Sequence, residues 1–395
     1  MDRTKPFRPF IIVLMLLVAA NLVLEHVNER FWVNDFRVYY SAADNLRHGL
    51  PVYDQVFGED TGLYKYAPVV LYAFLPFTYL SFDTAGILHL LVMGLVTIGC
   101  FIMVERTLAR FVQPLPRTAA RALLGLLCIV VLYARELHMG NINMGLILLS
   151  ALGVERLIAG KRVAAGAALG VVWLIKPYLL LMIVPLVVRR EWRVLRTGLL
   201  AMLAGLLAPM VLQGPATGWA LNRQWFHSMQ YHTQVMFSPD RLGQIVSTHA
   251  GIPPTLGLDM FFIALAGLLL AAFTWRNTRK ATPPMRALMD RAMELWLAMA
   301  IVPDLVITDQ QHFMFSLPLI LFAMAYFFTH RDPLAVGLFI LVMVLYATRS
   351  SDLWGSATEN MLVSWGILGV GNLLLILFSW WLLRRWPGTG PAAAP

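Results

Sequence analysis

A series of apolar segments, separated by short polar stretches, recurs along almost the whole chain and limits the folds available to it. The sequence has 395 residues, of which 59% are hydrophobic and only 13% are charged, and its mean hydropathy is +0.68. A soluble globular chain would carry about twice that share of charged residues. A membrane-crossing helix needs about 20 apolar residues, so the shorter segments must borrow flanking residues. The pattern predicts an all-α polytopic membrane protein of about twelve transmembrane helices, at residues 10–24, 87–104, 119–133, 144–157, 163–175, 178–188, 197–212, 260–275, 288–307, 313–328, 334–346 and 361–383.

Basic residues are concentrated in alternate connections between these segments, as the positive-inside rule expects. This asymmetry predicts that the N- and C-termini are cytoplasmic, and that residues 25–83 and 213–259 form large extracytoplasmic loops. The net charge of +9 therefore reflects membrane topology and gives no reason to expect a nucleic-acid partner. Residues 1–386 are interpreted as one integral membrane domain, and residues 387–395 as a disordered tail.

Two segments do not fit a simple alternation of spans. Residues 66–80 are apolar and aromatic, but counting them as a span would place the basic cluster at 106–121 on the extracytoplasmic side. They are therefore predicted to form an interfacial or re-entrant helix.

Residues 163–188 lie between two strongly basic stretches, so they must form a short hairpin that turns near Lys176 and Pro177. This turn places the Lys176 ammonium at or below the outer membrane surface. Ionisable groups within the membrane usually line a cavity and have a partner.

Polar side chains collect at the segment ends on the predicted extracytoplasmic side. Each of them also has a structural interpretation. Asparagine side chains hydrogen-bond between membrane helices, Glu136 lies beside Arg135 as a local ion-pair partner, and Asp309 fits a loop or interfacial residue. The polar groups are Asp35 and Arg37, the stretch RELHMGNINMG at 135–145, Lys176, Asp304, and the stretch TDQQHF at 308–313.

No metal site or cofactor is predicted. Cys100 and Cys128 both lie within apolar segments, which indicates neither a disulfide framework nor a thiolate site. The histidines of the second long loop lack a convincing ligand spacing. The sequence also contains no glycine-rich phosphate loop and no nucleophile elbow.

Several short motifs follow one another in order along the chain. This series resembles glycosyltransferase family 87, within the GT-C superfamily of lipid-linked sugar transferases. The family often has glutamine at the position of Asn141 and histidine at the position of Gln311. The motifs are Asp-Phe-x-Val-Tyr-Tyr at 35–40, Gly49, Tyr53-Asp54, Lys65-Tyr66, Pro68, Pro76, Gly-Asn-Ile-Asn at 140–143, Leu-Ile-Lys-Pro at 174–177, Arg-Arg-x-Trp-Arg at 189–193 and Gln311-His312.

The resemblance implies a GT-C-like fold with interfacial helices after the first span. It also implies transfer of a sugar such as mannose from a polyprenyl-phosphate donor to a lipid or glycan acceptor, since known members include polyprenol-phosphate-mannose-dependent mannosyltransferases. Asp35 corresponds to the acidic residue proposed as the catalytic base, and His312 to the histidine implicated in binding the donor phosphate. The expected location is the bacterial cytoplasmic (inner) membrane, among membrane lipids, with an extracytoplasmic active site.

A physical argument stands beside the chemistry that the resemblance implies. A sugar carried on a membrane polyprenyl phosphate presents its anomeric carbon at headgroup depth, and Asp35 lies at that depth because it follows the first segment closely. A single displacement with Asp35 as general base would invert the anomeric centre. The leaving phosphate requires cationic stabilisation, for which the candidates are His312, Lys176, Arg37 and Lys65. The candidates for substrate contact are Tyr39, Tyr40, Tyr66, His138, Asn141, Asn143 and Gln311.

Two alternatives share parts of this pattern. A transporter or a flippase of a lipid-linked saccharide would also suit a lysine and a broken hairpin at membrane depth. Transporters commonly show inverted repeats and sites near the midplane, whereas this sequence shows no internal repeat and its polar groups lie near one surface. A surface-polysaccharide polymerase or ligase is chemically close and would use a whole lipid-linked glycan as donor.

Overall fold

A computed structural model describes residues 7–58, 62–112, 117–235, 238–280, 282–306 and 309–386. The predicted tail at 387–395 lies outside these residues. Four 3-10 helices cover Pro68–Val70, Leu75–Tyr79, Pro177–Met182 and Gln310–Ser316. The α-helices are α1 Arg8–Val27, α2 Asn34–Arg47, α3 Leu71–Phe74, α4 Phe82–Leu108, α5 Thr118–Met139, α6 Asn143–Ile158, α7 Arg162–Ile175, α8 Ile183–Val188, α9 Trp192–Gln213, α10 Pro215–Val235, α11 Leu242–Ala250, α12 Leu256–Thr278, α13 Pro284–Ala300, α14 Val302–Val306, α15 Leu317–His330, α16 Pro333–Tyr346, α17 Ser351–Trp354, α18 Ser356–Ser364 and α19 Ile367–Arg385.

The predicted all-α membrane fold is confirmed. Among the described residues there is no strand, and one isolated antiparallel bridge joins Val56 and Leu63. Seven helices in those residues are long and apolar enough to cross a membrane, and the count of about twelve spans stays a prediction. The seven helices are Arg8–Val27, Phe82–Leu108, Thr118–Met139, Trp192–Gln213, Leu256–Thr278, Gln310–His330 and Ile367–Arg385.

The helix that contains α15 lies at the centre of the bundle. In its most apolar window 83% of the residues are buried, compared with 6% in α12. It packs against α5, α13 and α19. His312 lies in the first turn of this central helix, so the polar groups near it are enclosed by neighbouring helices.

The turn between α5 and α6 depends on a glycine. Gly140 ends α5 with φ +65°, a left-handed conformation that costs glycine little. A Cβ atom at this position would lie 2.8 Å from Cβ of Phe36 and 3.2 Å from Cβ of Val33. The missing side chain therefore lets the start of α2 approach the turn closely.

The predicted hairpin at residues 163–188 breaks at Lys176. This residue is extended, with φ −131° and ψ 92°, because a residue that precedes proline is disfavoured in helical conformation. Pro177 then begins a 3-10 helix that leads into α8. The break leaves the Lys176 side chain buried at the end of the bundle.

Residues 66–80 run alongside α2. They form two 3-10 helices on either side of the single-turn α3. Near the end of the segment, Nη1 of Arg47 donates to the carbonyl of Thr78 at 2.8 Å, and the Tyr40 hydroxyl donates to the carbonyl of Leu80 at 2.8 Å. Near its start, the hydroxyls of Tyr39 and Tyr66 lie 3.2 Å apart. Both ends of the segment therefore contact α2, and its interfacial or re-entrant position stays a prediction.

The second long loop is largely helical. α10 packs along α9, where Nδ2 of Asn222 donates to the carbonyl of Leu206 at 2.7 Å. One turn later, Nε1 of Trp225 donates to the carbonyl of Lys65 at 3.1 Å. The α10 helix therefore supports the chain segment that carries Lys65.

Several arginine–carboxylate pairs lie at the end of the bundle that is farther from Asp35 and Lys176. Their arginines belong to the connections that the positive-inside rule assigns to the cytoplasm. The pairs are Arg110–Glu155, Arg121–Glu105, Arg162–Glu191, Arg189–Glu294 and Arg385–Asp332.

The Arg121–Glu105 pair yields a stability prediction, since both side chains are buried, with exposures of 0% and 2%. Removing one partner of a buried pair leaves an uncompensated charge, and this costs about 3–5 kcal/mol. We expect Arg121→Met to lower the free energy of unfolding by that amount, measured by denaturant unfolding in detergent. Arg121→Met combined with Glu105→Gln should regain most of the loss. A stable single variant would contradict this assignment.

Candidate active site

The start of α2 and the Gly140–Asn143 turn meet at Asp35. Nδ2 of Asn141 donates to Oδ2 of Asp35 at 2.5 Å. Oδ1 of Asn141 accepts from the backbone N–H of Ile142 at 2.7 Å and from the Tyr39 hydroxyl at 3.3 Å. These bonds fix the orientation of the amide, so that its NH₂ group faces the carboxylate.

Tyr39 extends this hydrogen-bonded group. It lies four residues after Asp35 and therefore on the same face of α2. Its hydroxyl is 3.2 Å from that of Tyr66, and the carbonyl of Tyr66 accepts a hydrogen bond from Tyr53 at 2.8 Å. Burial raises the pKa of Tyr39 well above its ordinary value, so this residue stays a neutral phenol.

Lys176 belongs to a second group of hydrogen-bonded side chains, close to Tyr66. Its ammonium donates to Oδ1 of Asn143 at 2.7 Å and also to Nε2 of His312. Nδ1 of His312 lies 3.0 Å from the carbonyl of Asp309 and must donate to it, because a carbonyl only accepts. His312 is therefore assigned as the Nδ1-protonated neutral tautomer, which leaves Nε2 as an acceptor for Lys176.

Glu136 holds Asn143 in place, so the expected ion pair with Arg135 is wrong. The Glu136 carboxylate is buried and accepts from the backbone N–H of Asn143 at 2.6 Å, from Nδ2 of Asn143 at 2.8 Å and from the N–H of Met144 at 3.3 Å. Arg135, by contrast, is exposed. Adjacent helical residues point about 100° apart, which explains why the two side chains separate.

Two aromatic rings lie near the Lys176 ammonium. Nζ of Lys176 is 5.7 Å from the ring centroid of Tyr66 and 5.8 Å from that of Tyr178, both within cation–π range. The Tyr178 hydroxyl also lies 3.4 Å from Nε2 of His312. Sequence reasoning missed Tyr178, although its position directly after the Lys176-Pro177 break is a usable signal.

The cluster has a buried floor and an accessible rim. The floor side chains are almost fully buried, whereas those of the rim are partly exposed, and the Asp309 side chain is half exposed. Asp35 is therefore partly exposed to solvent, while the floor groups are fixed by their neighbours. The floor consists of Tyr39, Asn141, Asn143, Lys176 and His312, and the rim of Asp35, Lys65, Tyr66, Tyr178 and Asp309.

The environment of Asp35 raises its pKa from 3.8 to about 6. Burial is the main cause and the Asp309 charge adds to it, whereas Lys176, Lys65 and the Asn141 hydrogen bond oppose the shift. Burial also lowers the pKa of Lys65, against the attraction of Asp309 and Asp35. At neutral pH most of Asp35 is ionised, with a proton affinity suited to a general base.

Three residues predicted for the site lie outside this cluster. Arg37 is two positions after Asp35 and so points to the opposite face of α2, where its guanidinium packs 4.3 Å from the centroid of Phe82. Tyr40 also packs on Phe82 and donates to the carbonyl of Leu80. Nδ1 of His138 lies 3.0 Å from the carboxylate of Glu25. The fourth, Gln311, differs from these three because it is buried next to His312 in the same 3-10 helix.

Comparison with known proteins gives two matches. The chain is 26% identical over 278 residues to the alpha-(1->3)-arabinofuranosyltransferase of Corynebacterium glutamicum, a match that covers 67% of this chain and 62% of that protein. The chain thus spans less than two thirds of the relative's length. The model of glycosyltransferase family 87 matches residues 64–348, a range that includes Lys176 and His312 but begins after Asp35. The chain belongs to glycosyltransferase family 87.

Proposed function

We propose that this enzyme transfers one sugar, mannose or another single sugar, from a polyprenyl-phosphate donor to a hydroxyl of a lipid or glycan acceptor. The reaction takes place at the extracytoplasmic face of the inner membrane. The observation that carries the proposal is an accessible carboxylate, Asp35, whose charge interacts with those of two lysines, Lys176 and Lys65, at one end of a membrane bundle. A base and cations whose charges interact in this way suit a donor with an anionic leaving group.

The reaction is a single displacement. The acceptor oxygen attacks the anomeric carbon C1 while Asp35 takes the proton of that hydroxyl. The bond between C1 and the phosphate oxygen breaks, and the electron pair leaves with the polyprenyl phosphate. The configuration at C1 is inverted, because attack and departure occur on opposite faces of the sugar. The proton on Asp35 is then released to water at the accessible rim.

The leaving phosphate gains negative charge as the bond to C1 breaks, and cations next to it lower the barrier. Lys176 and Lys65 supply this charge. His312 acts through Lys176, since its Nε2 accepts from the ammonium, and Asn143 orients the same group. A low local dielectric strengthens these interactions relative to water.

Mannose and arabinofuranose are both donor sugars to be tested, because the matched relative is named an arabinofuranosyltransferase. Purified protein in liposomes would be offered synthetic polyprenyl-phosphate mannose, polyprenyl-phosphate arabinofuranose and nucleotide-activated sugars, each with an extracted acceptor pool. We expect transfer from a polyprenyl-phosphate donor alone. Transfer from the nucleotide sugars, with none from the lipid-linked ones, would overturn the proposed donor class.

The raised pKa of Asp35 predicts a pH dependence. A general base must be ionised, so kcat/KM should be near its maximum at pH 7 and fall about tenfold per pH unit below the Asp35 pKa of about 6. An unperturbed carboxyl would lose activity only near its ordinary pKa of 3.8. The check is a pH profile of kcat/KM in liposomes that stay intact over the range. A flat profile down to pH 5 would contradict the role of Asp35.

A further inference from the structure

A cleft with a volume of about 370 Å³ lies at the end of the bundle opposite the candidate active site, and nothing in the proposed reaction uses it. Most of its lining residues are basic, and one is acidic. The cleft is formed where α7, α8, α9 and α13 come together. Its lining consists of Arg162, Arg189, Arg190, Glu191, Trp192, Arg193 and Arg291.

Carboxylates neutralise only part of this positive charge. The buried carboxylate of Glu191 accepts from Nε of Arg162 at 2.8 Å and lies 3.4 Å from Nη1 of Arg291. Arg189 donates from Nη2 to Glu294 at 2.8 Å. The lining contains five arginines but only one carboxylate, that of Glu191. These pairings therefore leave an excess of positive charge.

Two arginines at the mouth of the cleft carry this excess. Arg190 and Arg193 are both exposed, and they flank the first residue of α9. Within the residues that the structure describes, neither forms an ion pair. The first two residues of α9, Trp192 and Arg193, line the cleft, and the free backbone N–H groups at the start of a helix favour an anion.

The mouth of the cleft lies at the end of a lipid-facing surface. Trp192 is 53% exposed at the start of α9, a position typical of tryptophan at a membrane–water interface. Residues seven apart on a helix share a face, which places Leu199 above Trp192 and Leu200 above Arg193. The exposed leucines continue along α9 at positions 199, 200, 203 and 207.

We propose that this cleft binds the headgroup of an anionic phospholipid in the adjacent leaflet, which the charge distribution predicts to be cytoplasmic. The phosphodiester accepts hydrogen bonds from Arg190 and Arg193, whose guanidinium groups match phosphate geometry. The acyl chains lie on the exposed leucines of α9. A soluble phosphate would make no use of that apolar surface, so the chemistry fits a lipid better than a free anion.

The test measures lipid binding to the purified full-length protein in neutral detergent. Phosphatidylglycerol and phosphatidylcholine are titrated separately and the complexes are counted by native mass spectrometry, with inorganic phosphate as a competitor. The test variant is Arg190→Ala with Arg193→Ala. The matched control is Arg276→Ala with Arg279→Ala, which removes two exposed arginines near the end of α12 at the same end of the bundle, outside the cleft.

We expect phosphatidylglycerol to bind more tightly than phosphatidylcholine, and the cleft variant to weaken phosphatidylglycerol binding about tenfold or more. The control should change the affinity by less than about twofold, and inorganic phosphate should not compete. Equal losses in the two variants would show a diffuse electrostatic effect and overturn the proposal. Competition by millimolar inorganic phosphate, or an unchanged affinity in the cleft variant, would do so as well. If the double variant fails to fold, the two single variants give the same comparison, each with about a threefold loss.

Discussion

Replacement of Asp35 by asparagine is expected to reduce sugar transfer about a thousandfold or more, because it removes the general base. Asparagine has nearly the same shape, and its side-chain oxygen can still accept the hydrogen bond that Asn141 donates to Asp35. The start of α2 should therefore keep its structure. The measurement is kcat/KM with a polyprenyl-phosphate donor, accompanied by the melting temperature in the same detergent.

A matched control lies on the same helix. Asp44→Asn makes the same charge change in a carboxylate that is 37% exposed and forms ion pairs with its neighbours Arg47 and His48. This variant should transfer sugar at the wild-type rate. If folded Asp35→Asn protein retains most of its activity, the base must be another group, and Asp309 and Glu136 are then the next to be tested.

Replacement of Lys176 by methionine has the second-largest expected effect. It removes the buried ammonium that would stabilise the leaving phosphate, a loss of about 10²- to 10³-fold in kcat. The polyprenyl-phosphate donor should also bind more weakly, since part of the attraction to its phosphate already exists in the ground state. The measurement is kcat and KM for the donor at pH 7.

Loss of Lys176 also disturbs the fold, and a second substitution separates the two effects. Lys176→Met removes a donor from Asn143 and a positive charge from the surroundings of the buried Glu136, so the protein should be less stable. Adding Glu136→Gln removes the opposing negative charge and keeps an acceptor for the N–H of Asn143. We expect the double variant to regain thermal stability but not activity. Recovery of activity together with stability would show that Lys176 is structural.

Much of the fold was predictable because it depends on local properties of the sequence. Hydropathy identifies a membrane helix within a window of about 20 residues, and proline marks the break after Lys176 through its effect on the preceding residue. The proximity of Asp35 and Lys176 was predictable for the same reason. Each follows an apolar segment on the same predicted side of the membrane, and the charges of the two side chains interact in the folded chain.

The contacts within the site were not predictable, because they depend on which face of each helix meets which neighbour. Arg37 shares a motif with Asp35, yet helical geometry turns it toward Phe82. Glu136 adjoins Arg135 in sequence, yet it bonds to the turn seven residues later. The sequence indicates only a loop position for Asp309. Its effect on the Asp35 pKa depends on how two distant chain segments pack together.

The central claim is that Asp35 acts as the base of a single displacement on a polyprenyl-phosphate sugar. The most direct test is the configuration of the new glycosidic bond. The purified enzyme would be given a polyprenyl-phosphate sugar of known anomeric configuration, and the product bond would be assigned by NMR. We predict inversion at C1 in the wild-type product and about a thousandfold slower product formation, or slower still, by Asp35→Asn. Retention of configuration would contradict the account, because a single displacement with attack opposite the leaving group inverts C1.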